Sequence, residues 1–182
     1  PARSGSGSGR ASSRDSVTDL RESLTSHDFH IHSALSYCGR EEMTLENILV
    51  RATQIGLRVI GISDHIHREE DIERILPLKR EIEARSALGL NDIFFGCELD
   101  LAAPGRTAAP IHRLSEYEFV NIAINHFHLD WVENLPDAPE ERVEYWLRLM
   151  ESAVELPRCD TIVHPFSPLH QSLILEERVD PD

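Results

Sequence analysis

The sequence predicts an α/β fold in which parallel strands alternate with helices to form a (β/α) barrel. Short apolar runs alternate along the chain with amphipathic stretches of helical period, which is typical of a parallel sheet. In addition, five of the apolar runs end in a histidine or a glutamate. Such strand ends converge at the mouth of a barrel, whereas an open sheet has its site at one switch point. A barrel is therefore favoured over an open sheet.

The first predicted strand is Asp-Phe-His-Ile-His at 28–32. Residues two apart on a strand face the same way, so His30 and His32 share one face with Asp28 while apolar residues occupy the other. The four later strand ends carry His65, Glu98, His126 and His164. Because imidazoles and carboxylates are common metal ligands, we expect one metal cluster built from five strand ends.

A helix and a buried strand are expected next. Thr44 is a suitable N-cap, apolar residues follow at helical spacing over 45–55, and Gly56 is placed to end the helix. The β-branched run at 57–63 then predicts a buried strand. This strand presents Asp64 and His65 at its carboxyl end.

The second helix is expected to begin near Glu69 or Asp71 and to end before Gly89. Pro77 lies inside its apolar pattern. Because proline removes a backbone donor and clashes with the preceding turn, we predict a kink or two shorter helices.

The third strand is predicted at 93–100, where Glu98 and Asp100 share one face. Residues 101–114 contain glycine and two prolines and are expected to form a loop. The fourth strand is predicted at 119–125, immediately before His126.

The last helix is predicted at 139–156, with Asp137 as its N-cap. A fifth short strand follows at 161–163 and ends at His164. The predicted order of elements is therefore a strand followed by repeated helix and strand units.

Composition limits the classes of partner. The formal net charge of −14 would repel the phosphate backbone of nucleic acids, so broad nucleic-acid binding is disfavoured. The odd number of cysteines does not predict a disulfide framework and favours a reducing compartment. No apolar run approaches the roughly 20 residues that span a bilayer, and the N-terminus lacks a signal-peptide core. We expect no membrane partner and a cytoplasmic location.

The domain is expected to cover residues 23–182. Residues 1–22 contain a Ser-Gly repeat and few large apolar groups, so a disordered tail or a linker is predicted there. The sequence begins with proline and ends without a recognisable closing element, and we therefore expect a fragment.

Five segments together resemble the polymerase and histidinol phosphatase (PHP) family. They are Asp-Phe-His-Ile-His-Ser at 28–33, Ser-Asp-His at 63–65, Gly-Cys-Glu-Leu-Asp at 96–100, the strand end at His126, and Ile-Val-His-Pro-Phe at 162–166. The resemblance implies a distorted (β/α)7 TIM-like barrel, two or three divalent metal ions and hydrolysis of phosphate esters. It also implies a set of metal ligands. These are His30, His32, His65, Glu98, His126 and His164.

The sequence departs from the family pattern at two places. The family has a further ligand, often His or Asp, in the loop after its His-x-His, where this chain has Ser36-Tyr37-Cys38-Gly39. Cys38 is therefore a candidate ligand for a soft metal. The family also ends its site with an Asp-x-His pair, and nothing after His164 matches it. About five of seven strands are then present, and C-terminal truncation is the expected explanation.

The ligand types suit Zn²⁺, Mn²⁺ or Fe²⁺, and Glu98 is placed to bridge two ions. We predict attack on a phosphate ester by a metal-bridging hydroxide, with Asp64 as an outer hydrogen-bonding group. His128 is an alternative ligand to His126, and Arg40 is a candidate contact for a substrate phosphate. The remaining histidines are expected on the surface or in loops. They are His27, His67, His112 and His170.

The leading hypothesis is a metal-dependent phosphoesterase, a phosphatase or phosphodiesterase, that acts on a small phosphorylated metabolite or nucleotide. A non-catalytic metal-binding or structural PHP module is the main alternative. An amidohydrolase-type metal hydrolase also begins with His-x-His, but it usually has a metal-bridging lysine. Lys79 is the only lysine in the sequence and is predicted in the middle of a helix, which disfavours this class.

Overall fold

The computed structural model describes residues 26–86 and 92–166. The described strands are β1 (His27–Ile31), β2 (Val59–Ile66), β3 (Asp92–Ala103), β4 (Arg106–Thr107), β5 (Phe119–Ala123) and β6 (Thr161–Val163). The helices are α1 (Leu45–Ile55), α2 (Glu69–Ser86), α3 (Pro139–Val154) and a short 3-10 helix (Ile111–Glu116). The predictions for residues 1–22, Gly89, His170 and the end of the domain lie outside the described residues. No helix in the described ranges is both long and apolar enough to cross a membrane.

The strands form one parallel sheet in the order β1-β2-β3-β5-β6, and β4 pairs antiparallel with β3. The register places Glu98 beside His65 of β2 on one side and beside Asn121 of β5 on the other. Because all carboxyl ends of a parallel sheet meet at the same edge, the polar residues that follow the strands come together.

The sheet is strongly curved. Its edge strands β1 and β6 are separated by three others, and in a flat sheet they would lie roughly 19 Å apart at the usual spacing between strands. The rings of His30 and His164, at the ends of these strands, are only 5.1 Å apart. The amide of Asn121 likewise crosses the concave face and donates a hydrogen bond to the carbonyl of Phe29, at 2.8 Å. The described residues therefore form a half-barrel, consistent with part of a TIM-like barrel.

The two faces of the sheet are packed differently. On the convex face, strand residues such as Ile62 and Leu99 join apolar residues of the helices, such as Ile48 and Ile75, in one buried core. On the concave face, the ring of Phe29 lies 5.6 Å from that of Phe94 and 5.3 Å from that of Phe119. We call these three rings the aromatic floor. The prediction that Phe29 faces away from His30 was wrong, because the pairing of β1 with β2 shifts register between Asp28 and Ile31.

Two glycines make room for the aromatic floor. A Cβ atom at Gly61 or Gly96 would collide with the ring of Phe119. Both glycines face the interior below the carboxyl ends of β2 and β3, so a side chain at either position would displace the ring. This explains a glycine within each strand, where it ordinarily weakens the sheet.

The predicted ends of helix α1 are confirmed. The hydroxyl of Thr44 accepts a hydrogen bond from the backbone N–H of Asn47 at 3.3 Å, and Gly56 ends the helix with a φ of 80°. The prediction of two shorter helices around Pro77 was wrong, because α2 runs without a break from Glu69 to Ser86. Buried residues on both sides of the proline hold the helix against the sheet. They are Ile72, Ile75, Leu78 and Ile82.

Two other local predictions were wrong. The segment 101–114 is not a plain loop, because β3 continues to Ala103 and turns at Gly105, with φ of 74°, into β4. The N-cap of α3 is Ala138 rather than Asp137, and it makes no side-chain capping bond. Pro139 follows it at the first helical position, where the lack of an N–H costs little.

Candidate metal centre

Glu98 of β3 is fully buried and lies at the centre of a cluster of imidazoles. Its Oε2 lies 2.9 Å from His30 Nε2, 3.2 Å from His32 Nε2 and 3.4 Å from His65 Nδ1. Its Oε1 lies 3.0 Å from His164 Nε2 and 3.6 Å from His126 Nε2. We call these five histidines with Glu98 the imidazole cluster. The structure thus brings together all six residues predicted as ligands.

Each element of the curved sheet contributes to the cluster at its carboxyl end. His30 lies on β1 and His32 follows it directly, while His65 lies on β2 beside Glu98. His126 follows β5, and His164 follows β6. The cluster therefore depends on the register and curvature of five parallel strands.

His164 has an unusual backbone conformation for a residue with a side chain. Its φ is 33°, in a region that costs free energy for residues other than glycine. Asn125 holds it on two sides: its amide N–H donates to the His164 carbonyl at 2.8 Å, and its Oδ1 lies 3.0 Å from His164 Nδ1. This leaves His164 Nε2 directed at Glu98.

The imidazoles keep Glu98 ionised. Burial alone would raise the pKa of this carboxyl, but hydrogen bonds with His164, His30 and His32 outweigh burial and hold the pKa well below its usual range. An ionised carboxylate that is fully buried is costly unless it is paired or binds a metal. Glu98 therefore has the charge state that a bridging metal ligand needs.

His65 has an unused nitrogen inside the cluster. Its Nδ1 is buried and makes no hydrogen bond; it lies near Glu98 Oε2, but without the geometry of a bond. Burial lowers the pKa of His65 to about 4, and the neighbouring charge of Glu98 only partly opposes this shift. The ring is thus neutral near pH 7. A buried neutral imidazole nitrogen without a partner is suited to bind a metal ion.

Three overlapping groups of side chains have ligand atoms within 4.8 Å of one another. The groups are His30, His32 and Glu98; His65, Glu98, Asp100 and His126; and His32, Cys38 and His65. Neutral imidazoles with a shared carboxylate are donors that Zn²⁺, Mn²⁺ and Fe²⁺ accept. The residues present therefore fit the binding of divalent metal ions.

A curved parallel sheet with such a cluster at its strand ends defines a metal-dependent, hydrolase-like class of protein. The chain belongs to the PHP family, since the family model described as PHP domain matches residues 28–162. This confirms the resemblance seen in the sequence motifs. A search of curated proteins found no significant match.

The other predicted site residues lie in different surroundings. Asp64 does not bond an imidazole: its two oxygens accept hydrogen bonds from the backbone N–H and the hydroxyl of Ser33, at 2.6 and 2.5 Å. His128 is exposed, with its ring 5.8 Å from that of His126, and belongs to none of the ligand groups. Arg40 is exposed, and within the described ranges its guanidinium makes no hydrogen bond or ion pair. Cys38 is exposed, and its sulfur lies within 4.8 Å of ligand nitrogens of His32 and His65.

Sequence reasoning missed a second buried carboxylate and its partner. His67, expected on the surface or in a loop, lies in the loop after β2 but is buried, with Nδ1 2.5 Å from Asp100 Oδ2. Asp100 Oδ1 lies 2.6 Å from His126 Nδ1. A signal was present in the spacing, because His67 and Asp100 lie two residues beyond His65 and Glu98 and so continue the same faces of adjacent strands.

The contact between Asp100 and His126 shifts the pKa values of these two side chains. Burial opposes ionisation of Asp100, but hydrogen bonds from His126 and His67 hold its pKa below the usual range. Burial lowers the pKa of His126, but the hydrogen bond to Asp100 and the charges of Asp100 and Glu98 together outweigh burial, and the net shift of the pKa is upward.

The remaining basic residues lie apart from the cluster. Lys79 forms an ion pair with Glu116, at 2.6 Å, and does not reach the ligand groups. Lys79 is therefore not placed to act as the metal-bridging lysine of an amidohydrolase-type centre. His27 and His112 are exposed.

Proposed function

We propose that this PHP domain is a metal-dependent phosphoesterase that acts on a small phosphorylated metabolite or nucleotide. The observation that carries the proposal is the burial of one ionised carboxylate, Glu98, among five imidazoles at the carboxyl ends of the strands. A carboxylate that only stabilises the fold can be paired by a single cation, whereas five imidazoles converge on Glu98.

His30, His32 and Glu98 would hold one ion, and His65, His126 and Glu98 would hold a second. Divalent ions at such a centre lower the pKa of water and stabilise the charge that develops on a phosphoryl group. Glu98 contributes a carboxylate oxygen to each group. The histidines contribute neutral nitrogens and thus leave the positive charge of the ions largely uncompensated.

This charge balance favours an anionic substrate. The carboxylates of Glu98 and Asp100 together cancel only part of the charge of two divalent ions, so the centre attracts a phosphate ester. Arg74, which lies near the mouth, is already engaged with Asp71 and with the carbonyl of Leu35. Arg40 is exposed, and we propose it as a contact for the substrate phosphate at the rim.

Cys38 extends the donor set toward softer metals. Its sulfur lies within 4.8 Å of ligand nitrogens of His32 and His65. Thiolate ligands favour Zn²⁺ or Fe²⁺ over Mn²⁺. Loading the protein with Co²⁺ tests this contact, because a cobalt–thiolate bond gives a near-ultraviolet charge-transfer band. We expect that band to be absent in the Cys38→Ser variant.

The experiment that tests the proposal combines metal analysis with phosphate release. The purified chain is expected to hold at least two equivalents of Zn, Mn or Fe and to hydrolyse members of a panel of phosphate esters. Monoesters would release inorganic phosphate, and diesters would release an alcohol and leave a phosphomonoester. A chelator should abolish hydrolysis, and added metal should restore it. The double variant His30→Ala, His32→Ala should lose both metal and activity.

His112→Ala is the matched control, because it removes an exposed histidine outside the cluster. It should keep the metal content and activity of the wild type. Folded protein with well under one equivalent of metal would contradict the proposed centre. Full metal content without hydrolysis of any ester would favour a non-catalytic metal-binding module instead.

A further inference from the structure

Asp100 and His67 form a contact, and neither residue is among the six predicted metal ligands. Both oxygens of Asp100 are used: Oδ1 lies 2.6 Å from His126 Nδ1, and Oδ2 lies 2.5 Å from His67 Nδ1. All three side chains are buried. An ionised carboxylate only accepts hydrogen bonds, so each Nδ1 carries the proton and donates.

The hydrogen bond determines which nitrogen of His126 is available as a ligand. With Nδ1–H donating to Asp100, the lone pair of His126 is on Nε2, the atom that lies 3.6 Å from Glu98 Oε1. Carboxylates commonly hold the ring of a metal-binding histidine in this way. Asp100 thus presents His126 to the centre in the tautomer that binds metal.

His67 is held firmly enough to support Asp100. Its backbone N–H donates to Asp71 Oδ2 at 2.9 Å. Its ring packs between those of His65 and Trp131, with both centroid distances 4.6 Å. His67 therefore has a fixed backbone and a fixed ring plane, and its Nδ1–H is directed at Asp100.

We propose that Asp100 and His67 are positioning residues for His126, and that Asp100 is not itself a metal ligand although its oxygens lie within reach of the ligand group. This inference rests on the proposed metal centre. His67 occupies one oxygen of Asp100 and keeps the carboxylate turned toward His126, whose Nε2 then stays available. The role of His67 is exerted through Asp100 and requires a hydrogen-bond donor at its Nδ1 position.

Two substitutions at position 67 distinguish the effect of the hydrogen-bond donor from the effect of ring packing. In His67→Asn the side-chain amide nitrogen replaces Nδ1 and keeps a donor near Asp100, whereas His67→Phe keeps an aromatic ring and removes the donor. We expect His67→Phe to weaken metal binding by up to about 10-fold, the lower end of the effect of losing a direct outer partner of a ligand, because His67 acts on His126 only through Asp100. His67→Asn should restore most of the affinity. Competition with a chromophoric chelator measures both.

The tautomer of His126 gives a second readout. In the metal-free full chain, ¹⁵N NMR of the imidazoles should show His126 protonated on Nδ1, and His67→Phe should give a mixture of tautomers. Asp100→Asn is the second variant if His67→Phe fails to fold. Its side-chain amide can accept from only one imidazole, so it should also reduce metal affinity and disturb the tautomer.

The outcomes distinguish this inference from the proposed function. A wild-type chain that binds no metal overturns the proposed metal centre. A wild-type chain that binds metal, with His67→Phe of equal affinity and an unchanged His126 tautomer, overturns only the inference. If His67→Asn and His67→Phe lose affinity equally, packing rather than hydrogen bonding is responsible and the positioning role is wrong. His112→Asn, at an exposed site, should match the wild type throughout.

Discussion

The buried carboxylates of Glu98 and Asp71 resemble each other in charge but differ in their partners. Both are almost inaccessible to water, and hydrogen bonds outweigh burial to lower the pKa of each. Asp71 accepts hydrogen bonds from the Tyr37 hydroxyl at 2.7 Å, the Arg74 guanidinium at 3.1 Å and two backbone N–H groups. Among the described residues, the side-chain partners of Glu98 are all imidazoles.

This difference indicates different roles. Asp71 lies in the first turn of α2 and accepts from the N–H of Arg68, the residue before the helix, so it completes a helix cap and fixes a loop. A neutral imidazole, in contrast, has one nitrogen with a lone pair, and this nitrogen can bind a metal ion. A carboxylate satisfied by dedicated donors stabilises the fold, whereas one surrounded by imidazoles marks a site.

The largest expected effect is on metal binding when Glu98 loses its charge. Glu98→Gln keeps the size of the side chain but removes the anionic ligand shared by two groups. We expect metal affinity to fall by more than about 100-fold, since even outer partners of ligands contribute about 10–100-fold. Competition with a chelator measures the change. Equal affinity in the wild type and the variant would mean that Glu98 is a structural carboxylate like Asp71.

The corresponding change at Asp71 should affect stability instead. Asp71→Asn leaves buried donors without a partner, and we expect the free energy of unfolding to fall by about 1–3 kcal/mol. Denaturant unfolding of the metal-free chain measures this loss. Metal affinity should stay within a factor of two of the wild type; a larger drop would show that the Asp71 network also holds the cluster.

The stabilisation by Asp71 should depend on pH in a defined direction. Its folded pKa lies below the ordinary value of 3.8, so the unfolded state binds the proton more tightly. The contribution is complete above the unfolded pKa and is lost as the pH falls through the folded pKa. The difference in unfolding free energy between the wild type and Asp71→Asn should therefore be larger at pH 6 than at pH 3. A difference that grows on acidification would reverse this assignment.

The smallest effect is expected at carboxylates exposed to solvent. Arg113 pairs with Glu69 and Glu73 on the surface of α2. Because solvent screens such pairs, Arg113→Ala should change the unfolding free energy by less than about 1 kcal/mol and leave metal binding unaltered. Thermal and denaturant unfolding provide the check. A loss comparable to that of Asp71→Asn would show that burial is not what separates these carboxylates.

The pattern that identified the cluster was local and therefore visible in the sequence. The alternation around His30 and His32 and the histidines after apolar runs depend only on residues close together in the chain. The strand, helix and strand order likewise predicted parallel pairing. The curvature that brings His30 beside His164 was expected only from the preference for a barrel.

The missed residues depend on contacts between distant parts of the chain. The spacing of His67 from His65 was visible in the sequence, but its contact with Asp100 also depends on the register of β2 and β3, which pairs Ile66 with Leu99 and which no local pattern specifies. Asp71 receives its bond from Tyr37, which lies 34 residues earlier. Pro77 predicted a kink or two shorter helices, and packing against the sheet keeps α2 a single helix across the proline.

The aromatic floor affects how ligands reach the concave face of the half-barrel. The three phenylalanine rings fill the interior below Glu98, and Gly61 and Gly96 allow them to lie close to the strands. Within the described residues, these rings obstruct approach to Glu98 from the amino-terminal ends of the strands, so we expect ligands to reach the concave face from the carboxyl ends. Under the phosphoesterase proposal, inorganic phosphate should bind at this same face and inhibit competitively.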